Sequence, residues 1–98
     1  DEDEELVKEL ADGSYIVKGM TTLNEIEEIL NIKFDEEELE NFDTLNGLMI
    51  SRLDRIPEDG EKFDIIMHGC EFKVLHVSNK MINTVKVTKL HEDDELKE

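Results

Sequence analysis

Two segments of the chain carry apolar residues at the spacing of an amphipathic helix. The apolar positions are Leu23, Ile26, Ile29 and Leu30 in the first segment, and Leu45, Leu48, Met49 and Leu53 in the second. Thr22 and Glu25 form a capping-box pattern at the start of the first segment, and Pro57 follows the end of the second. This spacing predicts helices over about residues 23–30 and 44–53.

Four further segments alternate apolar and polar residues as β-strands do. They are residues 14–18, 61–68, 70–77 and 81–88. Short turn sequences, His68-Gly69 and Ser78-Asn79-Lys80, separate the last three segments. Because such short connections join neighbouring strands, these three segments are predicted to pair antiparallel.

The order of these elements is β-α-α-β-β-β, which predicts the α+β class: an antiparallel sheet with two helices packed on one face. The helices bury their apolar sides on the sheet, and the core lies between them. The predicted core residues are Leu23, Ile26, Leu30, Leu45, Leu48, Leu53, Phe63, Ile65, Phe72, Val74, Val85 and Val87. Residues 31–42 are predicted to be an acidic connection in which residues 35–38 face water.

Apolar residues also occur on the opposite phase of the predicted strands. Ile66, Leu75 and Val77 fall on that phase, on the side of the sheet away from the predicted core. A sheet face that meets only water carries fewer aliphatic residues than this. We therefore predict that Ile66, Leu75 and Val77 form an interaction surface.

Length and charge restrict the classes of protein that fit this chain. Its 98 residues suffice for one domain with a modest core, and its formal net charge is −16. A duplex phosphate backbone is repelled by this charge, and since the sequence contains no basic stripe, nucleic acid is excluded as a partner. The apolar runs are far shorter than the ~20 residues needed to span a bilayer, so direct membrane insertion is not expected.

The ends of the chain hold more than half of the excess negative charge. Residues 1–11 carry a net charge of −5 and residues 91–98 a net charge of −4. We divide the chain into an acidic linker or short helical segment over residues 1–11, a domain over residues 12–90 and an acidic tail over residues 91–98. The acidic start without an initiator Met is typical of a piece of a longer protein.

None of the reactive side chains falls into a catalytic or metal-binding pattern. Cys70 is the only cysteine, which excludes an intrachain disulfide and favours a reducing compartment. His68 and His76 share no metal-ligand spacing with Cys70, and the acidic runs at residues 35–38 and 92–95 lack the spacing of a calcium loop. We therefore predict no catalytic residues, no metal site and no cofactor, and hence a protein that is not an enzyme.

Several short motifs are similar to those of a known family. They are Asp12-Gly13-Ser14-Tyr15, Val17-Lys18-Gly19, Asp43-Thr44-Leu45-Asn46-Gly47-Leu48, Arg55-Ile56-Pro57-Glu58-Asp59-Gly60-Glu61, Phe72-Lys73-Val74-Leu75 and Val85-Lys86-Val87. With these motifs, residues 12–90 resemble the transporter-associated domain of the CorC/HlyC family. The resemblance implies an α+β fold and supplies no catalytic residues.

The resemblance also implies a function and a setting. In such proteins this domain follows a pair of CBS domains, and usually a membrane region as well. The implied role is a non-enzymatic regulatory or interaction module that modulates divalent-cation (Mg/Co) transport or efflux. Its expected partners are its own CBS domains, the membrane region or a second copy, which makes it a cytoplasmic domain of an integral membrane protein.

Two alternative functions stay open at this stage. One is a small-ligand or cofactor-binding domain, for a flavin or a nucleotide, by fold-level analogy with one half of certain flavin-binding domains. The other is a cation-sensing domain that uses the acidic surface. Neither alternative has a motif of its own in this sequence.

Overall fold

A five-stranded antiparallel sheet, covered on one face by three helices, forms the domain in a computed structural model that describes residues 6–90. The elements are β1 (Val7–Glu9), β2 (Tyr15–Lys18), α1 (Leu23–Leu30), α2 (Glu36–Asn41), α3 (Leu45–Leu53), β3 (Asp64–Met67), β4 (Cys70–Ser78) and β5 (Met81–Lys89). The strand order across the sheet is β1-β2-β5-β4-β3. The predicted α+β class is thus confirmed, with β1 and α2 as additional elements.

Both predicted helices have a side-chain cap at the start and a left-handed residue at the end. The Thr22 side chain accepts the Glu25 backbone N–H at the start of α1, and Thr44 accepts the Gly47 N–H at the start of α3. Both helices stop where Asn31 and Asp54 adopt left-handed backbone conformations, with φ of 58° and 66°. None of the helices within residues 6–90 is long and apolar enough to cross a membrane.

The acidic connection between the predicted helices contains a helix of its own. Asp35 is the N-cap residue of α2, and the Glu38 side chain reaches back to accept the Asp35 backbone N–H. The expectation that residues 35–38 all face water is wrong for Glu38, which is 9% exposed. The first turn of α2 directs Glu38 back toward the domain, which the prediction of an irregular connection did not anticipate.

The segment before residue 12 is extended where the sequence predicted a helical turn or linker. β1 pairs antiparallel with β2, with Val7 opposite Val17. The helical alternative is wrong because so short a segment defines no helical period, whereas β2 offers a sheet edge that satisfies its backbone groups. Residues 1–5 of the predicted linker, and the predicted acidic tail over residues 91–98, lie outside the described residues.

The core lies between the helices and the inner face of the sheet, as predicted. Nine of the twelve predicted core residues are buried, while Leu53, Phe63 and Ile65 are half-buried. Residues of the hydrophobic core cluster that the prediction omitted are Val17, Phe34, Met49, Met67, Cys70, Val77 and Ile82.

A close backbone approach occurs at Gly19, at the end of β2. A Cβ atom there would lie 1.8 Å from the Ile82 carbonyl oxygen, so only glycine fits without backbone movement. Gly47, inside α3, has no such constraint. A Cβ atom at Gly47 would meet the Phe42 Cδ1 atom at 3.7 Å, which is an ordinary contact.

Candidate functional site

The outer face of the sheet, on the side away from the helices, exposes an isoleucine. Ile66 on β3 is 65% exposed and lies opposite Glu71 on β4, which in turn lies opposite Thr88 on β5. β3 is an edge strand, so one side of its backbone also has no neighbouring strand within residues 6–90. Ile66 thus occupies the outer face, as predicted from alternation.

Val77 does not belong to this face, because the alternation of β4 is interrupted. The register shifts between Val74 and His76, and again between His76 and Val77. Leu75 and His76 therefore both fall between two inward-facing valines, and Val77 is only 2% exposed. The prediction that placed Val77 on the interaction surface is wrong, because a β-bulge moves it to the core.

Leu75 stays at the outer side, beside a shallow depression. It is half-buried at the bulge, and its carbonyl oxygen accepts a hydrogen bond from Lys62 Nζ at 3.1 Å. The depression has a volume of about 400 Å³ and is lined by Lys62, Phe63, Asp64, Glu71, Lys73, Val74 and Leu75. Of the three predicted surface residues, Ile66 and Leu75 thus remain in a position to contact a partner.

The sheet register brings lysines from separate strands to the outer face. Lys8, Lys18, Lys73 and Lys86 occupy outward positions on four strands. We call these four residues, together with Ile66 and Leu75, the outer patch. Antiparallel pairing thus places four lysines, far apart in the chain, on one face of the sheet.

The outer patch has the composition of a binding surface without reactive groups. The nearby Cys70 points to the core and is fully buried, and burial raises the pKa of its thiol. A protonated, inaccessible thiol is a poor nucleophile. What the patch offers chemically is apolar contact and ammonium groups.

A second cluster, away from the outer patch, joins α2 to α3 and to the β3–β4 turn. Glu38 Oε2 accepts a hydrogen bond from Arg52 Nη2 at 2.6 Å, and Glu38 Oε1 lies 2.8 Å from His68 Nε2. Oε1 also accepts the Asp35 backbone N–H at 2.9 Å. The Phe34 ring meets the His68 ring edge-on, with centroids 5.2 Å apart.

The partners of Glu38 keep its carboxylate charged. Burial by itself raises the pKa of this carboxyl, but Arg52, the Asp35 N–H and His68 together hold that pKa below its usual range. Every oxygen of the carboxylate therefore has a partner within the fold. The contacts of Glu38 with Arg52 and His68 hold α2 against α3 and the β3–β4 turn, and we call them the Glu38 clamp.

The same cluster contains potential metal ligands. Asp35, Glu38 and His68 each offer one ligand atom, and these atoms lie within 4.8 Å of one another. The Arg52 guanidinium already supplies a positive charge to Glu38, so a bound cation would compete with it. The Asp-x-x-Glu capping pattern was visible in the sequence, but nothing in it linked Glu38 to His68, thirty positions away.

A third feature is a groove at the opposite end of the sheet. It has a volume of about 470 Å³ and is lined by Leu6, Lys18, Met20, Thr44, Asn46, Met81, Ile82 and Asn83. Met20 and Met81 are 69% and 50% exposed. Asn46 fixes the floor of the groove, because its Oδ1 accepts the Ile82 N–H at 2.7 Å.

Comparison with known proteins identifies relatives over most of the chain. The family model of the transporter associated domain, CorC_HlyC, matches residues 8–91. Hemolysin C of Brachyspira hyodysenteriae is 32% identical over 99% of this chain and 35% of its own length. The magnesium and cobalt efflux protein CorC of Vibrio cholerae is 30% identical over 90% of this chain and 28% of its own length.

Solved structures share the fold. The transporter associated domain of a Xylella fastidiosa Temecula1 hemolysin, in complex with Mg²⁺ and Mn²⁺, is 26% identical with a TM-score of 0.72. The match covers 89% of this chain and 100% of that one, so a domain of this kind has been solved by itself. By contrast, this chain spans only 20–35% of the length of the first curated relatives that it matches.

Proposed function

Because the chain belongs to the CorC_HlyC transporter associated domain family, we propose that it is a non-enzymatic regulatory and interaction module of a longer CBS-domain protein. In this proposal the module docks on its own CBS domains or membrane region, on the cytoplasmic side. Docking modulates the transport or efflux of divalent cations such as Mg²⁺ and Co²⁺. The names of relatives such as the Vibrio cholerae efflux protein support the transport role.

One observation carries the docking role. Ile66 is 65% exposed on the outer face, beside Leu75 and a depression of about 400 Å³. Exposed aliphatic area is unfavourable by roughly 25 cal/mol per Å², so covering this patch with a partner would be favourable. Cys70 is fully buried and the His68 ring is held by Glu38, which favours binding over catalysis.

The test replaces the two apolar residues of the outer patch. The double variant Ile66→Thr, Leu75→Thr is expected to fold normally and to lose docking on the remainder of the longer protein supplied in trans. Ile29→Thr and Ile56→Thr are matched controls, since these isoleucines are 50% and 56% exposed elsewhere. Isothermal titration of each variant measures docking, and cation flux through the full-length protein measures the consequence.

Two results would contradict this proposal. The first is equal affinity of the double variant and the wild type for the rest of the protein. The second is unchanged cation flux through the full-length protein that carries the double variant, which would leave the outer patch as an ordinary solvent face.

A second candidate function, cation sensing, has one observation in its favour. Asp35, Glu38 and His68 present three ligand atoms within 4.8 Å of one another, and the Xylella fastidiosa relative was solved with Mg²⁺ and Mn²⁺. Titration with Mn²⁺ alone tests it: saturable binding that Glu38→Gln abolishes and Glu36→Gln preserves would support sensing. Equal heats for both variants would exclude this cluster as the sensor.

A further inference from the structure

Negative charge is concentrated in the helical part of the described chain, whereas the outer face of the sheet carries lysines. Residues 23–54, which contain the three helices, carry ten acidic and two basic residues. The rest of the described chain, residues 6–22 and 55–90, has a net charge of +1. The domain is therefore polarised, with a negative helical side and lysines across the far side of the sheet.

Three of the four lysines of the outer patch, Lys8, Lys73 and Lys86, lie in one cross-strand row. Successive partners along this row are Lys8, Ile16, Lys86, Lys73 and Asp64. Lys73 and Lys86 are directly opposite each other, and like charges in that position destabilise a sheet.

Within residues 6–90, the charge of these two ammonium groups is only partly compensated. Asp12 Oδ2 lies 3.7 Å from Lys86 Nζ, with 62% of the Asp12 side chain exposed, and Asp64 is the cross-strand partner of Lys73. An anionic group placed between Lys73 and Lys86 would relieve their repulsion. The adjacent row supplies the apolar contact, since Ile66 lies opposite Glu71, two residues before Lys73.

We propose that the surface docking on the outer patch is an acidic protein surface of the longer chain, whose carboxylates pair with Lys73 and Lys86 while an apolar residue covers Ile66. This inference rests on the proposed function and adds the chemistry of the partner. Two copies of the domain meeting face to face about a twofold axis would bring the same lysines together, which charge repulsion opposes. An acidic surface is complementary to the patch in both charge and apolar content.

The first experiment identifies the partner groups in the full-length protein. A water-soluble carbodiimide activates carboxylates, and a lysine amine within contact distance then forms an amide bond with release of the urea. Mass spectrometry is expected to find Lys73 and Lys86 joined to Asp or Glu residues outside residues 1–98. Lys33 and Lys80, which are exposed elsewhere, serve as internal controls.

The second experiment measures the contribution of charge. The double variant Lys73→Gln, Lys86→Gln is expected to bind the rest of the protein, supplied in trans, with an affinity at least about tenfold lower than that of the wild type. Its affinity is also expected to change less with salt concentration. The control Lys33→Gln, Lys80→Gln removes the same charge and is expected to dock like the wild type. Circular dichroism and melting temperature establish that each variant is folded.

The outcomes separate this inference from the proposed function. If Ile66→Thr, Leu75→Thr abolishes docking but Lys73→Gln, Lys86→Gln does not, the patch docks and its partner is not acidic. If neither double variant changes docking, both proposals are wrong. Binding of the wild-type domain to phosphatidylglycerol vesicles, with Lys73 and Lys86 coupled only to Asp12 or Asp64, would replace the acidic protein with a lipid surface and overturn the inference.

Discussion

The two faces of the sheet differ in burial and in residue type. On the inner face Phe72, Val74, Val85 and Val87 are at most 1% exposed and meet the helices. On the outer face the same strands carry lysines and threonines, and the neighbouring β3 carries the 65% exposed Ile66. The residues of the inner face are apolar because the fold buries that face against the helices. The outer face is not buried in this way, so its apolar and basic residues are the ones on which the proposed docking rests.

The largest expected effect lies on the inner face. Leu48 on α3 is 1% exposed within the core, so Leu48→Ala removes buried methyl groups and leaves a cavity. The expected loss in the free energy of unfolding is roughly 2–5 kcal/mol, measured by urea denaturation. A variant with an unchanged midpoint would show that α3 does not pack as described.

The Glu38 clamp comes next, since it holds α2 at the edge of the core. Glu38→Gln removes the charge that Arg52 and His68 contact, and is expected to cost about 1.5–3 kcal/mol at neutral pH. Glu36→Gln on the exposed side of α2 is the control, expected to change stability by less than about 0.5 kcal/mol. Equal unfolding curves for both variants at pH 7 would mean that the clamp contributes nothing.

The same variant has a defined pH dependence. The pKa of Glu38 is lowered in the folded state from its ordinary value of 4.5, so its stabilisation is complete above that unfolded value and is lost as the pH falls through the folded pKa. Wild-type stability is therefore expected to fall more steeply below about pH 4.5 than that of Glu38→Gln. Parallel stability curves between pH 6 and pH 3 would contradict this assignment.

Two glycines, Gly19 and Gly47, test the close backbone approach at the end of β2. Gly19→Ala places a Cβ atom 1.8 Å from the Ile82 carbonyl oxygen, and the backbone shift is expected to cost about 1–3 kcal/mol. Gly47→Ala makes only ordinary contacts and is expected to stabilise α3 by up to ~1 kcal/mol. Thermal unfolding measures the melting temperature of both variants. A Gly19→Ala protein as stable as the wild type would disprove the close approach.

The smallest effect is expected at Ile66 on the outer face. Alternation groups Ile66 with Val77, but the bulge places Val77 in the core. Val77→Thr buries a hydroxyl and is expected to cost about 1–3 kcal/mol. Ile66→Thr, at a 65% exposed position, is expected to change stability by less than about 0.5 kcal/mol. If chemical denaturation ranks the two variants the other way, β4 runs without the register shift.

Much of the fold could be predicted because local patterns and burial agree. The helices that contain Ile26 and Leu48 each have an apolar face, and the start of the first follows from its cap at Thr22. β1 could not be predicted, since three residues define no period and their strand exists only because β2 pairs with them. α2 was missed because its acidic residues resemble a solvated loop until Glu38 contacts Arg52 and His68.

The candidate site was predictable only in part. Ile66 and Leu75 were found from alternation, while Val77 was misplaced because a bulge adds a residue between inward positions without a signal in composition. The basic row could not be seen in the sequence because its lysines lie on three strands, at positions that only the register brings together.

The sequence by itself determined the α+β class, the two capped helices, most of the core and the family resemblance, because these depend on neighbours a few positions apart or on short motifs. The tertiary structure decided the side on which Val77 lies, the partners of Glu38 and the row that places Lys73 against Lys86. The partners of Glu38, for example, lie 14 and 30 positions away in the chain. Over such separations strand register and helix packing, and no local preference, select the neighbour.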